Sequence, residues 1–169
     1  MGTRTSSKER LAALEAVPMF RACSRKQLEL VARLADNVSV EAGEVLAREG
    51  RIERELFVIL DGQAQVTRAG TAVAQLGAGD YFGELAVLDA GPRDATVTAL
   101  TDLDVLIIGQ REYATMVADV PGLRDALLRG MAKRLRAADL GATGSPTGSA
   151  DDRSPGHDRS PGDADGSDA

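Results

Sequence analysis

Gly79-Asp80-Tyr81-Phe82-Gly83-Glu84-Leu85-Ala86, followed six residues on by Pro92-Arg93-Asp94-Ala95-Thr96-Val97, is the stretch on which the reading of this chain turns. A glycine lets backbone N–H groups approach a ligand closely. A short helical turn behind it aims further N–H groups at an anion. An arginine then adds a forked pair of charge-assisted hydrogen bonds suited to a phosphate. Glu84 beside such a cradle repels a free phosphate, so its presence calls for a ligand that also donates, and a ribose 2′-hydroxyl is such a donor. A plainer reading stays open beside this one, in which Gly83 makes a turn and Glu84 and Arg93 form an ordinary salt bridge.

Around this stretch, from Asn37 to Ile108, short apolar runs alternate with Gly and Asp, the texture of an all-β unit. Strands are expected at Val38 to Val40, Val45 to Arg48, Glu55 to Leu60, Ala64 to Arg68, Ala72 to Leu76, Tyr81 to Phe82, Ala95 to Ala99 and Asp104 to Ile108. Turns fall at Ala42-Gly43, Glu49-Gly50, Asp61-Gly62, Ala69-Gly70 and Gly77 to Asp80, each with a residue that tolerates positive φ. Strands of this length and spacing point to a jelly roll or a β-sandwich.

Helices flank the strands. Ser6 or Ser7 caps a first helix carrying Leu11, Leu14 and Val17 and stopped by Pro18, and Ser24 with Gln27 makes a capping box for a second at about 25 to 35. After the strands, Arg111 to Ala118 reads as a short helix. Pro121 to Leu140 reads as a longer one, its stripe of Leu123, Leu127, Met131, Leu135 and Ala138 ending at Gly141. Residues 141–169 repeat Arg-Ser-Pro-Gly and hold six Asp against two Arg, with no Leu, Ile, Val, Met or aromatic side chain. That composition is expected to be a disordered acidic tail, so the division is a domain over 1–140 and a tail over 141–169.

Composition removes several classes of function. The chain has 169 residues and a net charge of −6, which supplies no general basic field for nucleic acid. The single cysteine, Cys23, excludes an internal disulfide and a cysteine zinc site. It reads as a small buried apolar residue in a reducing compartment. The single histidine, His157, lies in the tail, so the domain has no imidazole for a catalytic triad or a histidine metal cage. No apolar stretch approaches the ~20 residues of a membrane span. The expectation is a cytoplasmic protein that is not an enzyme, with no metal, DNA or membrane partner.

On these residues the chain resembles the cyclic nucleotide-binding domain family, shared by catabolite-activator-type regulators, regulatory subunits of cAMP-dependent kinase and nucleotide-gated channels. The resemblance runs over about residues 10 to 140 and includes Gly43-Glu44-Val45-Leu46, Glu49-Gly50, Leu56-Phe57-Val58-Ile59-Leu60-Asp61-Gly62 and Met131-Ala132-Lys133-Arg134-Leu135. It implies a mainly β fold, an eight-stranded jelly-roll barrel with N-terminal and C-terminal helices. It also implies that Glu84 and the Gly83 backbone hold the ribose hydroxyl, that the Leu85 and Ala86 N–H groups meet the phosphate, and that Arg93 neutralises it, with Ala95 in the same segment. Val66 and Val73 fall where the family lines its purine pocket, and Arg134, Ala138 and Asp139 where it supplies base contacts. Arg134 also reads as a solvated charge complementing the helix dipole.

Asp94 departs from the pattern, because relatives carry a small neutral or hydroxyl residue beside the arginine. A carboxylate ~5 Å from a phosphate costs roughly 3 kcal/mol at an effective dielectric near 20, about a hundredfold in affinity, unless it points outward. Some members of the family carry a Thr there that favours cGMP, and this chain lacks it, so the resemblance implies cAMP over cGMP, although Asp94 would also be able to accept from a guanine amino group. The implied function is a cAMP sensor that signals by repositioning its last helix, either to an unidentified effector protein or through a homodimer of that helix. No helix-turn-helix pattern follows Leu140. The competing readings are a degenerate binding domain kept as a protein-interaction scaffold, and a metal-dependent cupin, which needs histidines inside the barrel.

Overall fold

The computed structural model describes residues 6–142, so the tail expected from Gly141 lies almost wholly outside the described residues. The chain opens with α1 (Ser7–Ala16), a 3-10 turn (Pro18–Phe20) and α2 (Arg25–Leu34). Both helices start on a complete capping box. Ser6 is the cap of α1 because Glu9 then sits at the third helical position, where its carboxylate accepts from the Ser6 N–H at 2.7 Å while its own N–H donates to the Ser6 hydroxyl. Ser24 and Gln27 repeat the arrangement at α2.

Eight strands follow: β1 (Asp36–Val40), β2 (Val45–Ala47), β3 (Glu55–Asp61), β4 (Ala64–Arg68), β5 (Thr71–Leu76), β6 (Tyr81–Phe82), β7 (Thr96–Ala99) and β8 (Leu103–Gly109). A short α3 (Glu84–Leu88) interrupts them, and α4 (Gln110–Asp119) and α5 (Pro121–Ala142) come last. The antiparallel pairs are nested, first with last: β1 with β8, β2 with β7, β3 with β6 and β4 with β5. This is the order a long hairpin takes when it is rolled on itself, as a jelly roll requires. Closure into a barrel is not what the hydrogen bonds make. They divide the strands into two four-stranded sheets, β1-β8-β3-β6 and β2-β7-β4-β5.

The first sheet is covered on both faces, which explains the unbroken apolar runs of β3 and β8. In β3, Leu56 and Val58 face α1, α2, α4 and α5 in one core, while Phe57 and Ile59 face the second sheet in another. β8 divides in the same way, Leu106 and Ile108 against Leu103 and Val105. Period-two alternation thus lets one strand serve two cores. Each fully buried side chain of this kind is worth about 1.5–3 kcal/mol. Cys23, expected to be buried, is half-buried at the edge of the helical core, and that burial raises its thiol pKa.

α5 departs from its reading in two ways. It runs through Gly141 to Ala142 instead of ending at the glycine. Its apolar stripe also leaves the body: Leu123 and Leu127 are buried and Met131 is half-buried, but Leu135 and Ala138 are exposed. Among the described residues no helix is long and apolar enough to cross a membrane.

Candidate functional site

Residues 79–86 form one corner of the molecule, where β6 ends against β3 and α3 begins. Gly83 is the N-cap of α3 at φ 83°, a left-handed conformation that a side chain disfavours. A Cβ there would also overlap the Arg93 Nη1 and the Glu55 carbonyl. Glycine is therefore required twice over, by backbone conformation and by the guanidinium lying against it.

Arg93 is a buried cation, its side chain 5 % exposed. Its Nε donates to Glu53 Oε2 at 3.2 Å and its Nη2 to the Glu55 carbonyl at 2.9 Å. Its guanidinium carbon lies 5.7 Å from the centroid of Phe57, which is stacked on Phe82. The backbone at Arg93 is tied to the β2–β3 connection by two bonds of 2.8 Å, Gly50 N–H to Arg93 O and Arg93 N–H to Arg51 O. One group is left over. Nη1, which faces Gly83, is buried without a hydrogen-bond partner, and a charged donor in that state is costly unless something accepts from it. An oxyanion at the start of α3 fits that need.

Glu84 and Arg93 do not pair with each other, so the plain salt-bridge reading fails. Glu84, also buried, pairs with Arg134 of α5 at 2.7 Å between Oε1 and Nη1. The Arg134 Nη2 donates to the Tyr81 carbonyl, and its guanidinium carbon stacks 4.3 Å over the Tyr81 ring. Arg134, its side chain 39 % exposed, is in this conformation held at the Tyr81–Glu84 corner. Tyr81 packs beneath α5 where Gly130 leaves room for it, and its hydroxyl donates to the Leu127 carbonyl at 3.4 Å. Burial raises the Tyr81 phenol pKa, with Arg134 beside it acting in the opposite direction.

The remaining expected residues divide. Ala86 and Ala95 are buried, whereas Leu85 is exposed. The Ala86 N–H donates to the Gly83 carbonyl at 3.2 Å, so in this conformation it is spent within the turn. Val66 is half-buried against the inter-sheet core. Val73 is 51 % exposed, like the rest of β5 from Thr71 to Gln75, and is the extra residue of a bulge, since β4 pairs Val66 with Ala74 and Thr67 with Ala72. Ala138 and Asp139 are exposed on the outer part of α5. Asp94 is 65 % exposed and pairs with Arg68 at 3.0 Å. Glu53, Glu55, Phe57 and Arg68 complete the site without having been foreseen.

One corner of the β-sandwich thus brings together a buried arginine with an unspent N–H, a positive-φ glycine at a helix start and an adjacent buried carboxylate. Residues 37–119 match the family model described as "Cyclic nucleotide-binding domain", and this segment of the chain belongs to that family. A cAMP-dependent protein kinase regulatory subunit from Eremothecium gossypii is 34 % identical over 108 residues, covering 63 % of this chain and 24 % of the relative. The catabolite activator protein of Thermus thermophilus superposes with a TM-score of 0.68 at 26 % identity, covering 74 % of this chain and 61 % of that one. A cAMP-bound structure, PfPKA-R (141-441), gives 0.71 at 26 % identity, covering 79 % of this chain and 47 % of that one. The chain therefore spans about a quarter of the kinase regulatory subunit it matches.

Proposed function

We propose that this domain binds a cyclic nucleotide, cAMP in the first instance, and acts as a non-enzymatic sensor. The observation that carries the reading is the buried Arg93 Nη1 without a partner, facing Gly83 at the start of α3. A cyclic phosphate satisfies that donor, and a ribose hydroxyl in the same ligand has Glu84 as its acceptor. Relatives that bind cAMP support the choice of nucleotide.

The signal would pass through α5. Glu84 is engaged by Arg134, so a ribose hydroxyl that takes up the Glu84 carboxylate changes what holds α5 to the corner. Ligand and helix position are then linked, and binding shifts the population of α5 placements. The output is an effector protein or a second copy joined along α5, whose Leu128 and Leu135 are 50 % and 62 % exposed.

Calorimetric titration of nucleotide-free protein with cAMP and then cGMP tests the reading. Micromolar or tighter binding of cAMP, lost on Arg93→Ala, is the expected result. A folded protein that gives no heat with either nucleotide, in the wild type and in Asp94→Ala alike, favours the scaffold reading instead.

A further inference from the structure

The carboxylate of Asp94 belongs to the residue next to the buried arginine, where a negative charge opposes an anionic ligand. We infer that Arg68 is a positioning residue for nucleotide affinity: it holds the Asp94 charge away from the phosphate, an inference that rests on the cyclic nucleotide reading above. Burial alternates along the segment, with Arg93 and Ala95 inside and Asp94 outside, so the backbone already turns the carboxylate outward. Direction alone does not fix a side chain with free rotamers. Arg68 supplies the rest through a two-point grip, its Nε donating to the Asp94 backbone carbonyl at 3.1 Å and its Nη2 to Asp94 Oδ2 at 3.0 Å.

The grip is anchored at its other end. Arg68 is the last residue of β4, and the turn that follows, Ala69-Gly70, has both residues at positive φ, 48° and 78°. Glu49 accepts from the Ala69 N–H at 2.8 Å, and its own N–H donates to the Thr96 hydroxyl at 3.0 Å, tying that turn to the start of β7. Arg68 and Asp94 are therefore held together from both sides. Their charges cancel locally, and a carboxylate whose field is cancelled by a guanidinium 3.0 Å away opposes a phosphate far less than a lone one.

The test is a double-mutant cycle read as the Kd for cAMP by calorimetry, with thermal melting of each variant to confirm folding. Arg68→Ala is expected to weaken binding about tenfold, less than the hundredfold of an unrelieved charge because the site edge is wet and screened. In an Asp94→Ala background the same substitution is expected to change Kd by less than about twofold. An equal or larger loss in that background would overturn the inference, because Arg68 would then act on the phosphate directly. So would an unchanged Kd in Arg68→Ala alone. If the wild type is silent and Asp94→Ala binds, the carboxylate is not neutralised and the inference fails while the site stands. If both are silent, the nucleotide reading fails and the inference falls with it.

Discussion

At the scale of single residues, the corner depends on positions whose reasons are local and positions whose reasons are not. Gly83 is local. Its φ of 83° and the guanidinium lying against it make Gly83→Ala costly on two counts. A loss of about 1–3 kcal/mol in urea unfolding is expected from the strained backbone, together with a loss of nucleotide affinity measured by titration, since Arg93 must shift. An unchanged Kd would mean that the guanidinium is not where the ligand is read. This glycine is visible in the sequence through its place in the Gly79–Ala86 stretch, with Arg93 following, and through the resemblance those residues carry. Arg68 was not visible. It lies 26 residues from Asp94, and nothing in β4 distinguishes an arginine that grips a distant carboxylate from one that faces water. The pattern flagged Asp94 as a problem; only the fold supplies what relieves it.

At the scale of elements, strands are legible where turn glycines bound them on both sides, and β4 (Ala64–Arg68) and β6 (Tyr81–Phe82) have the expected bounds. β1 is longer than its apolar residues suggest, since Asp36 and Asn37 are polar but their backbone still pairs with Ile107 and Leu106 of β8. The ladder is indifferent to side chains there. α5 outruns its expected end for the converse reason: a glycine at 141 stops a helix only when the chain takes the left-handed turn, and it does not. Gly130, in mid-helix, is more informative. On propensity alone Gly130→Ala would stabilise a helix by about 1 kcal/mol. Here the added Cβ meets the Tyr81 hydroxyl and comes within 2.9 Å of the ring carbon that bears it. The substitution is therefore expected to lower the melting temperature and loosen α5, with partial recovery in a Gly130→Ala, Tyr81→Phe double variant. A rise in melting temperature for the single variant would show that α5 is not seated on Tyr81.

At the scale of the whole molecule, two cores share the β1-β8-β3-β6 sheet, and α5 belongs to the helical one only through its first half. Beyond Arg134 the helix keeps apolar residues that the body does not cover. Leu128, exposed one turn earlier, and Leu135 and Ala138 lie seven and three residues apart, with the half-buried Met131 between them at the edge of the core, the seam spacing of a two-stranded coiled coil. A seam of this length is about three turns, well short of the roughly 1,200 Å² that a stable interface buries, so the association would be weak and concentration-dependent. Sedimentation velocity over a range of protein concentrations is expected to show a monomer–dimer equilibrium, abolished by Leu135→Glu. The same substitution should leave the melting temperature of the dilute protein unchanged, because Leu135 is 62 % exposed. Adding cAMP should shift the equilibrium if Arg134, one residue away, couples the Glu84 corner to the direction in which α5 leaves the body. A monomer at every concentration, with and without nucleotide, would remove the second copy as the output and leave the exposed leucines to a different protein.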